Sequence, residues 1–454
     1  MELFPYQVEG SEFLAKRSYA LLADSMGLGK TAQAIAAADK IGAKTILVIC
    51  PAIARVNWAR EFKQWSKDSR EFRILLKFTD KPEPGINTES FICSYEYAAD
   101  HFQRLKLDFD LVICDESHYL KSTTSNRAKA ILGTGGIIHH CKRMWFISGT
   151  PSPNNPAEMW PILYATARTK LSYDSFVDEF CEHYTFKDHQ VIKGAKSRAI
   201  PKFQELLHGF MIRRLTENVL PDLPEIFIKE VTVEASEVNL EDTGFFQFTR
   251  SAEKMAEFES ILADERSIAE KAIDKLESIY DSVATLRRYT GILKIENTAK
   301  LLEEELDANL YQKVVVFAHH RDVVEGIRHA LRKFNPVTVY GGTPPEKRQK
   351  NIDKFQNNPR CRVFIGNIAA AGTGITLTAS SQLVMLEQSW VPGDNAQAIK
   401  RCNRIGSKEP LNVRIVSLPD SLDQKIVSTL KRKTADLVKI FDQPEELILP
   451  DPWL

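Results

Sequence analysis

Short unbroken apolar runs alternate with stretches whose apolar residues recur at helical spacing through the first third of the chain. Thr45–Cys50 is one such run, closed by Pro51; Ser90–Ser94, Phe109–Cys114, interrupted by Asp110, and Met144–Ile147 are short strands of the same kind. Continuous apolarity, rather than period-two alternation, is what a parallel strand buried on both faces requires. Between the runs, alanine-rich residues 32–38 and residues 56–65 read as helices, the second with Val56, Phe62 and Trp65 as anchors. Ahead of the first run, Val8, Phe13 and Leu14 line one face of a predicted helix.

The same alternation returns later. It predicts strands at Lys313–Ala318, Pro336–Tyr340, Cys361–Ile365 and Gln382–Leu386, and helices at Val323–Lys333, Glu346–Phe355 and Asp394–Arg404. The expected fold class is α/β, with two doubly wound parallel-sheet lobes whose ligands bind at the carboxyl ends of the strands. Helical insertions separate the lobes. One is an aromatic-rich protrusion over residues 153–214, with Trp160, Tyr164, Tyr173, Phe176, Phe180 and Tyr184 mostly in a core; the other is a charged arm. In that arm Phe258, Ile261, Leu262, Ile268, Ala272, Ile273 and Leu276 keep helical spacing. The predicted domains are residues 1–229, an arm over 230–300, and a second lobe over 301–454.

A chain of 454 residues exceeds one ordinary core, which agrees with several domains. Its 60 basic and 60 acidic side chains cancel, so any phosphate-binding surface must come from uneven placement of charge. None of the seven cysteines forms a C-x-x-C pair, which argues against zinc and a disulfide framework. No stretch is apolar enough for a membrane span and no secretion signal opens the chain. The expected setting is intracellular, cytoplasm or nucleoid or nucleus, with no membrane partner.

Candidate chemistry centres on Leu21–Thr31, an apolar run, a glycine turn and Lys-Thr opening the alanine-rich helix. Such a turn lets backbone N–H groups and the helix dipole enclose a polyphosphate. Gly27 and Gly29 supply the turn, Lys30 reaches the β and γ phosphates, and the Thr31 hydroxyl binds Mg²⁺. Asp24 stands where the strict phosphate-loop pattern has glycine. Gln7, just upstream, has the side-chain amide needed to read an adenine edge. The run Phe109–Cys114 ends in Asp115-Glu116, placing one carboxylate to hold Mg²⁺ and the next to activate a water. Ser148 and Thr150 end a further strand, where small hydroxyl residues can sense a γ-phosphate. In the second lobe, Asn367–Thr376 is a small-residue loop able to approach a phosphate of nucleotide or nucleic acid. Gln397, Arg401 and Arg404 fall at i, i+4 and i+7 and are expected to share one helical face aimed at the γ-phosphate. With no second Lys-Thr loop, the second lobe is expected to complete the first lobe's site. For Arg213-Arg214 two alternatives stand, closure onto the second lobe or a solvated surface pair.

In order, Tyr6-Gln7, Met26-Gly-Leu-Gly-Lys-Thr31, Pro51 with Asn57-Trp58, Ser94-Tyr-Glu96, Asp115-Glu-Ser-His118, Ser148-Gly-Thr-Pro151, Gly372-Thr-Gly374 and Arg404-Ile-Gly406 resemble the superfamily 2 helicase core. The resemblance is closest to the Swi/Snf-type DNA translocases, and Met211–Pro224 leans towards their annealing-helicase branch, close to a bare motor. Ser25, Tyr340, Asn403 and Ser407 depart from that family's usual glutamate, aspartate, histidine and glutamine.

The resemblance implies two RecA-like lobes, ATP with Mg²⁺, Gly374 in the nucleotide site, and coupling roles for His118, Ser148, Thr150 and Gln397. It also implies contacts from Pro51, Ser94, Gly372 and Thr373 to DNA phosphates. The expected activity is an ATP-dependent DNA translocase on duplex or branched DNA, working largely without sequence preference, in a DNA-repair setting and with room for a targeting partner. Its rivals are a strand-separating DNA or RNA helicase, the motor of a larger nuclease or restriction complex, and an ATP-dependent switch or scaffold that moves nothing.

Overall fold

Hydrophobic runs fully buried on both faces set the architecture of the computed structural model. It describes residues 2–423 apart from 53, 69, 76–89, 103–107, 153, 187–188, 221, 237–286, 369–374, 405, 420 and 422. Two units divide the described chain, one from residues 2–182 and 193–222, the other from 183–192 and 223 onward.

In the first unit the strands are β1 (Tyr19–Leu22), β2 (Ile46–Cys50), β3 (Phe72–Ile74), β4 (Ser90–Ser94), β5 (Leu111–Asp115) and β6 (Met144–Ile147). Next in the chain come β7 (Cys181–Phe186) and β8 (His189–Ala195), a separate two-stranded sheet whose residues 183–192 fall in the second unit, and then β9 (Met211–Ile212) of the first. Among the described residues the main sheet has seven parallel strands in the order β3-β4-β2-β5-β6-β1-β9. Every residue of β2, β4 and β6 is buried, as their unbroken apolar runs require.

Helices α1 (Pro5–Ala15), α2 (Lys30–Lys40) and α3 (Arg55–Trp65) accompany these strands. Ala34, Ile35 and Ala38 of α2 join Val48, Trp58, Ile113 and Trp145 in one core. The buried anchors of α3 are Trp58 and Phe62; Val56 and Trp65 are only partly covered. Helix α1 also departs from its hydrophobic pattern, because Val8 is 38% exposed while Gln7, Gly10, Ser11 and Leu14 are buried. Gly10 explains the choice of face: a Cβ there would lie 1.8 Å from the Gln33 Oε1 of α2, so the small-residue face makes the close contact.

The protrusion holds helices Trp160–Ala165, Tyr173–Phe180 and Ile200–Leu207. Phe176, Phe180 and Phe203 form its small aromatic core. Tyr164 is 51% exposed and Trp160, Tyr173 and Tyr184 are half-buried, so of the aromatics expected inside only Phe176 and Phe180 are there.

The second unit adds β10 (Ile226–Thr232), β11 (Val314–Ala318), β12 (Val337–Val339), β13 (Val363–Asn367), β14 (Gln382–Met385) and β15 (Leu411–Ser417). Its described strands form one parallel sheet in the order β10-β15-β14-β11-β13-β12. Both faces are covered. Val315 and Phe317 of β11 enter one core, and Val314, Val316 and Ala318 enter the other. The two units are RecA-like α/β folds, as expected.

Two boundaries move. Strand β10 pairs along its length with β15, so residues 223–229 group with the second unit and not with the first. Helix Ile295–Asp307 buries Ala299, Leu302 and Leu306 in the second unit's core, so the end of the expected arm is part of that unit. The arm's residues 237–286 lie outside the described residues.

Glu387, 3% exposed, closes the end of β14 by accepting from the His319 and His320 backbone N–H groups at 2.7 and 2.8 Å and lying 2.6 Å from the His320 ring. Burial alone would raise its carboxyl, but the hydrogen bonds and charge of His320 and the two backbone N–H groups outweigh burial and hold it below the usual carboxylate range. Glu387→Gln is therefore expected to destabilise the second unit by about 2–4 kcal/mol at neutral pH. Because the folded pKa is depressed, this contribution is present above the unfolded value and disappears as pH falls through the folded one. Hydrogen exchange along β11 at pH 7 and near pH 3 checks it: protection falls in the variant at pH 7, and the difference narrows in acid.

Candidate active site

At the carboxyl end of β1 the chain turns through Gly27 (φ 87°) and Gly29 (φ 69°) before α2 begins at Lys30. Both glycines hold left-handed backbone, and a Cβ on Gly29 would lie 2.4 Å from Gln7 Nε2. Gly29→Ala is thus expected to strain the loop by about 1–2 kcal/mol and weaken nucleotide binding roughly tenfold. Titration with a fluorescent ATP analogue checks this, and unchanged affinity would contradict the loop's role.

Lys30 Nζ donates to the carbonyls of Asp24 (2.8 Å) and Ser25 (3.1 Å), which hold it across the mouth of the loop. Burial lowers its pKa to about 8, against the opposing pull of Glu116, Asp24 and Asp115. Gln7 is 3% exposed and already used on both sides, accepting from Phe4 N (3.0 Å) and donating to Leu28 O (3.2 Å). In this conformation it braces the loop and does not present an open edge to a base.

The acidic pair sits at the end of β5, two strands from β1 in the sheet. Asp115 is fixed from several sides. Trp58 Nε1 donates to Oδ2 at 2.7 Å, Glu116 N donates to Oδ1 at 3.0 Å, and the buried Tyr95 hydroxyl donates to the Asp115 carbonyl at 2.7 Å. Burial, then the neighbouring Glu116 charge, raises the Asp115 carboxyl well above its usual range. A bound cation would relieve that cost.

Among the described residues no cluster of three or more His, Cys, Asp or Glu could hold a metal. The Thr31 hydroxyl and Asp115 nonetheless offer the hard oxygen ligands that suit Mg²⁺, which keeps waters and phosphate oxygens as its other ligands. The residues present therefore fit the ion.

Glu116 adopts left-handed backbone (φ 51°) and caps the short turn Ser117–Leu120. His118 Nδ1 lies 3.4 Å from Glu116 Oε2 and 3.2 Å from Ser148 Oγ, which accepts from Thr150 N at 3.1 Å. The residues expected to couple hydrolysis in this unit, His118, Ser148 and Thr150, thus form one chain from the acidic pair to the loop after β6. Pro51 follows β2 and Ser94 ends β4, with Cys50 paired to Ser94, so both lie on the same carboxyl edge of the sheet. Both are buried, and Ser94 Oγ accepts from Tyr97 N at 3.2 Å.

Arg213-Arg214 is not a solvated surface pair. Both arginines fold into their own unit at the end of β9, where Arg213 Nη1 donates to Ala23 O (2.9 Å) and Gly149 O (3.2 Å). Arg214 grips the fully buried Asp24. Asp24, absent from the strict phosphate-loop pattern, is thereby accommodated.

In the second unit the helix runs Pro392–Ile399 and then stops. Arg401 N and Cys402 N bond three residues back, to Ala398 O and Ile399 O, and Arg401 O accepts from Leu377 N, so the chain tightens and leaves the helix axis. Only Gln397 of the three expected residues is helical, and Gln397, Arg401 and Arg404 do not share one helical face. Arg401 is 6% exposed. Arg404 Nη1 donates to Ile375 O (3.3 Å) and Thr376 Oγ1 (3.1 Å), the last two residues of the small-residue loop. Asn403, at an expected histidine, donates to Pro224 O at 2.7 Å, and Ser407, at an expected glutamine, accepts from Arg404 N at 3.0 Å. Gly372, Thr373 and Gly374 lie outside the described residues.

Trp58, Tyr95 and Gly149 are site residues to which the sequence gave no role of their own. A Cβ on Gly149 would lie 2.8 Å from Met26 Cγ and 3.4 Å from Lys30 Nζ, so glycine lets the two loops meet.

A phosphate loop at the end of β1, an acidic pair at the end of β5 and a second RecA-like unit without such a loop define a helicase-type phosphate-loop protein. The chain belongs to the SNF2-related family: the SNF2-related domain matches residues 6–288, and the helicase conserved C-terminal domain matches residues 294–406.

Among curated relatives, the SWI/SNF-related matrix-associated actin-dependent regulator of chromatin subfamily A-like protein 1 homolog of Caenorhabditis elegans is 29% identical over 453 residues, covering 95% of this chain and 61% of the relative. The DNA annealing helicase and endonuclease ZRANB3 of Homo sapiens is 27% identical over 447 residues, covering 95% of this chain and 40% of the relative. The chain therefore spans only part of the length of these relatives. A solved structure described as the Sulfolobus solfataricus SWI2/SNF2 ATPase core in complex with dsDNA is 22% identical, with a TM-score of 0.44, and 97% of each chain is covered. Among the described residues, no helix is long and apolar enough to cross a membrane.

Proposed function

We propose that this protein is an ATP-dependent DNA translocase. The observation that supports it most is the joint placement of Lys30, Thr31, Asp115 and Glu116 along one carboxyl edge of a parallel sheet, in a chain of the SNF2-related family. Backbone N–H groups of residues 27–31 and the α2 dipole bind the polyphosphate, with Lys30 moving from its carbonyl perch onto the β and γ phosphates. Thr31 and Asp115 would hold Mg²⁺, which would neutralise charge at the phosphates. Trp58 and Tyr95 keep Asp115 in place, while Glu116 accepts the proton of the attacking water. His118, Ser148 and Thr150 report the state of the γ-phosphate, and Gln397, Arg401 and Arg404, with Gly374, complete the site from the second lobe.

On the DNA side, Pro51, Ser94, Thr150, Gly372 and Thr373 contact the phosphate backbone. Contacts of that kind position a strand without reading its sequence, so binding is weakly sequence-specific and falls steeply with salt. Duplex or branched DNA is the substrate, in an intracellular compartment, nucleoid or nucleus, with a further protein for targeting.

Displacement of a third strand from a duplex tests the reading. With ATP the protein strips a triplex-forming oligonucleotide from intact duplex and leaves the duplex strands paired; failure to displace it, or release of a duplex strand, would overturn translocation on duplex DNA.

A further inference from the structure

The strand-loop-helix that forms the phosphate loop is local in sequence, but the loop is held by residues far downstream. β9 pairs with β1 through Leu21–Met211 and Leu22–Ile212. The pairing continues into the loop itself, with Ala23 N donating to Ile212 O (2.8 Å) and Ser25 N to Arg214 O (2.9 Å). Arg214 then grips Asp24 with its fork, Nε to Oδ1 at 3.0 Å and Nη2 to Oδ2 at 2.7 Å, and adds its own backbone N–H to Oδ1 at 3.0 Å. Gln33, on α2, closes the arrangement. Its Oε1 accepts from Arg214 Nη2 (2.8 Å), and its Nε2 donates to Asp24 Oδ2 (3.0 Å) and Leu28 O (3.2 Å).

Asp24 and Gln33 are completely buried, so these bonds form away from solvent, where an Arg–carboxylate fork has its full directional force. Arg214 Nη1 also donates to the Tyr6 carbonyl, beside the Gln7 that braces Leu28 O. The bonds converge on the entry side of the loop, on the carboxylate of Asp24 and on the N–H of Ser25, the two residues whose carbonyls hold Lys30 Nζ.

We propose that Arg214, acting through Asp24 and Gln33, is a positioning residue for nucleotide binding. By fixing the Asp24 peptide it sets the carbonyl that holds Lys30 ready over the loop. Lys30 then meets the phosphates without first having to be ordered. A nucleotide site built this way depends on the chain returning through β9 after the protrusion, and the strand-loop-helix alone would not suffice. The inference rests on the assignment of residues 27–31 as the phosphate loop.

The test uses the full chain and four single substitutions, Arg214→Lys, Asp24→Asn, Lys30→Ala and Arg70→Ala. Arg70 pairs with Asp39 at the far end of α2 and serves as a reference for lost stability away from the loop. Thermal melting, the affinity for a fluorescent ATP analogue, and KM and kcat for ATP are measured for each.

Arg214→Lys and the isosteric Asp24→Asn are expected to raise the nucleotide dissociation constant and KM about tenfold, with kcat at saturation little changed. Their double variant is expected to be no worse than either single one, because both break the same link. Arg70→Ala lowers the melting temperature and leaves KM as it was. Should Arg214→Lys not fold, Asp24→Asn alone carries the reading. Positioning is overturned if these variants behave as Arg70→Ala does, with unchanged KM and only a smaller active fraction. If Lys30→Ala binds nucleotide normally, the loop assignment fails and the inference fails with it; a Lys30→Ala defect beside normal binding in Arg214→Lys and Asp24→Asn overturns the positioning role alone.

Discussion

Glu116→Gln is expected to lower ATP turnover by about 10²–10⁴ while nucleotide binding persists. Glutamine preserves the size of the side chain and one acceptor oxygen, but it cannot take a proton from water. The site around it changes little, because Asp115 keeps its bonds from Trp58 and from the residue-116 backbone N–H, neither of which involves the Glu116 carboxylate. Stopped-flow binding with a fluorescent nucleotide, beside steady-state phosphate release, separates the two effects. Loss of both together would make Glu116 a binding group, and normal turnover would assign the base elsewhere.

Arg404→Ala is expected to cost on the order of 10³ in kcat, the range of an arginine finger, with ATP and DNA affinity retained. Its place off the helix bears on this expectation. The guanidinium is tied to Ile375 O and Thr376 Oγ1, at the end of the small-residue stretch, so its direction is set by those two bonds and not by helical periodicity. Lysine replaces the planar guanidinium, whose Nη1 makes both contacts, with a point-charge ammonium, and Arg404→Lys is expected to recover little of the rate. Single-turnover hydrolysis of pre-bound ATP reads the effect; a rate within threefold of the parent would remove Arg404 from the chemistry.

The sheets were legible in the sequence because buried parallel strands are the plainest of patterns. β2, β5 and β11 are unbroken apolar runs with a single physical explanation. The strands that escaped are those without such runs. β10 alternates partly buried and exposed residues within a polar stretch, β15 interleaves Asn412 and Arg414 with its apolar residues, and β9 is only two residues long.

Phosphate-loop glycines were legible for a stereochemical reason, since the turn needs positive φ at Gly27 and Gly29. The supporting shell was not. Nothing in the spacing of Trp58 and Asp115, or of Asp24 and Arg214, says that these side chains meet; only the stacking of β9 beside β1 and of α3 near β5 brings them together. Periodicity also misled at residues 397–404, where i, i+4 and i+7 spacing satisfied the helical pattern but the backbone closed its last turns tightly at Arg401 and Cys402. In α1 the reverse occurred, because Gly10 made a polar face the packing face.

The most direct measurement of the central claim is steady-state ATP hydrolysis by the full chain with no nucleic acid, single-stranded DNA, duplex DNA, forked DNA and RNA, with Glu116→Gln as the inactive control. Slow basal hydrolysis, strong stimulation by duplex or forked DNA that weakens as salt rises, and no hydrolysis in the control are expected. Hydrolysis that no nucleic acid stimulates would contradict it, leaving a nucleotide-binding protein that is not a DNA motor.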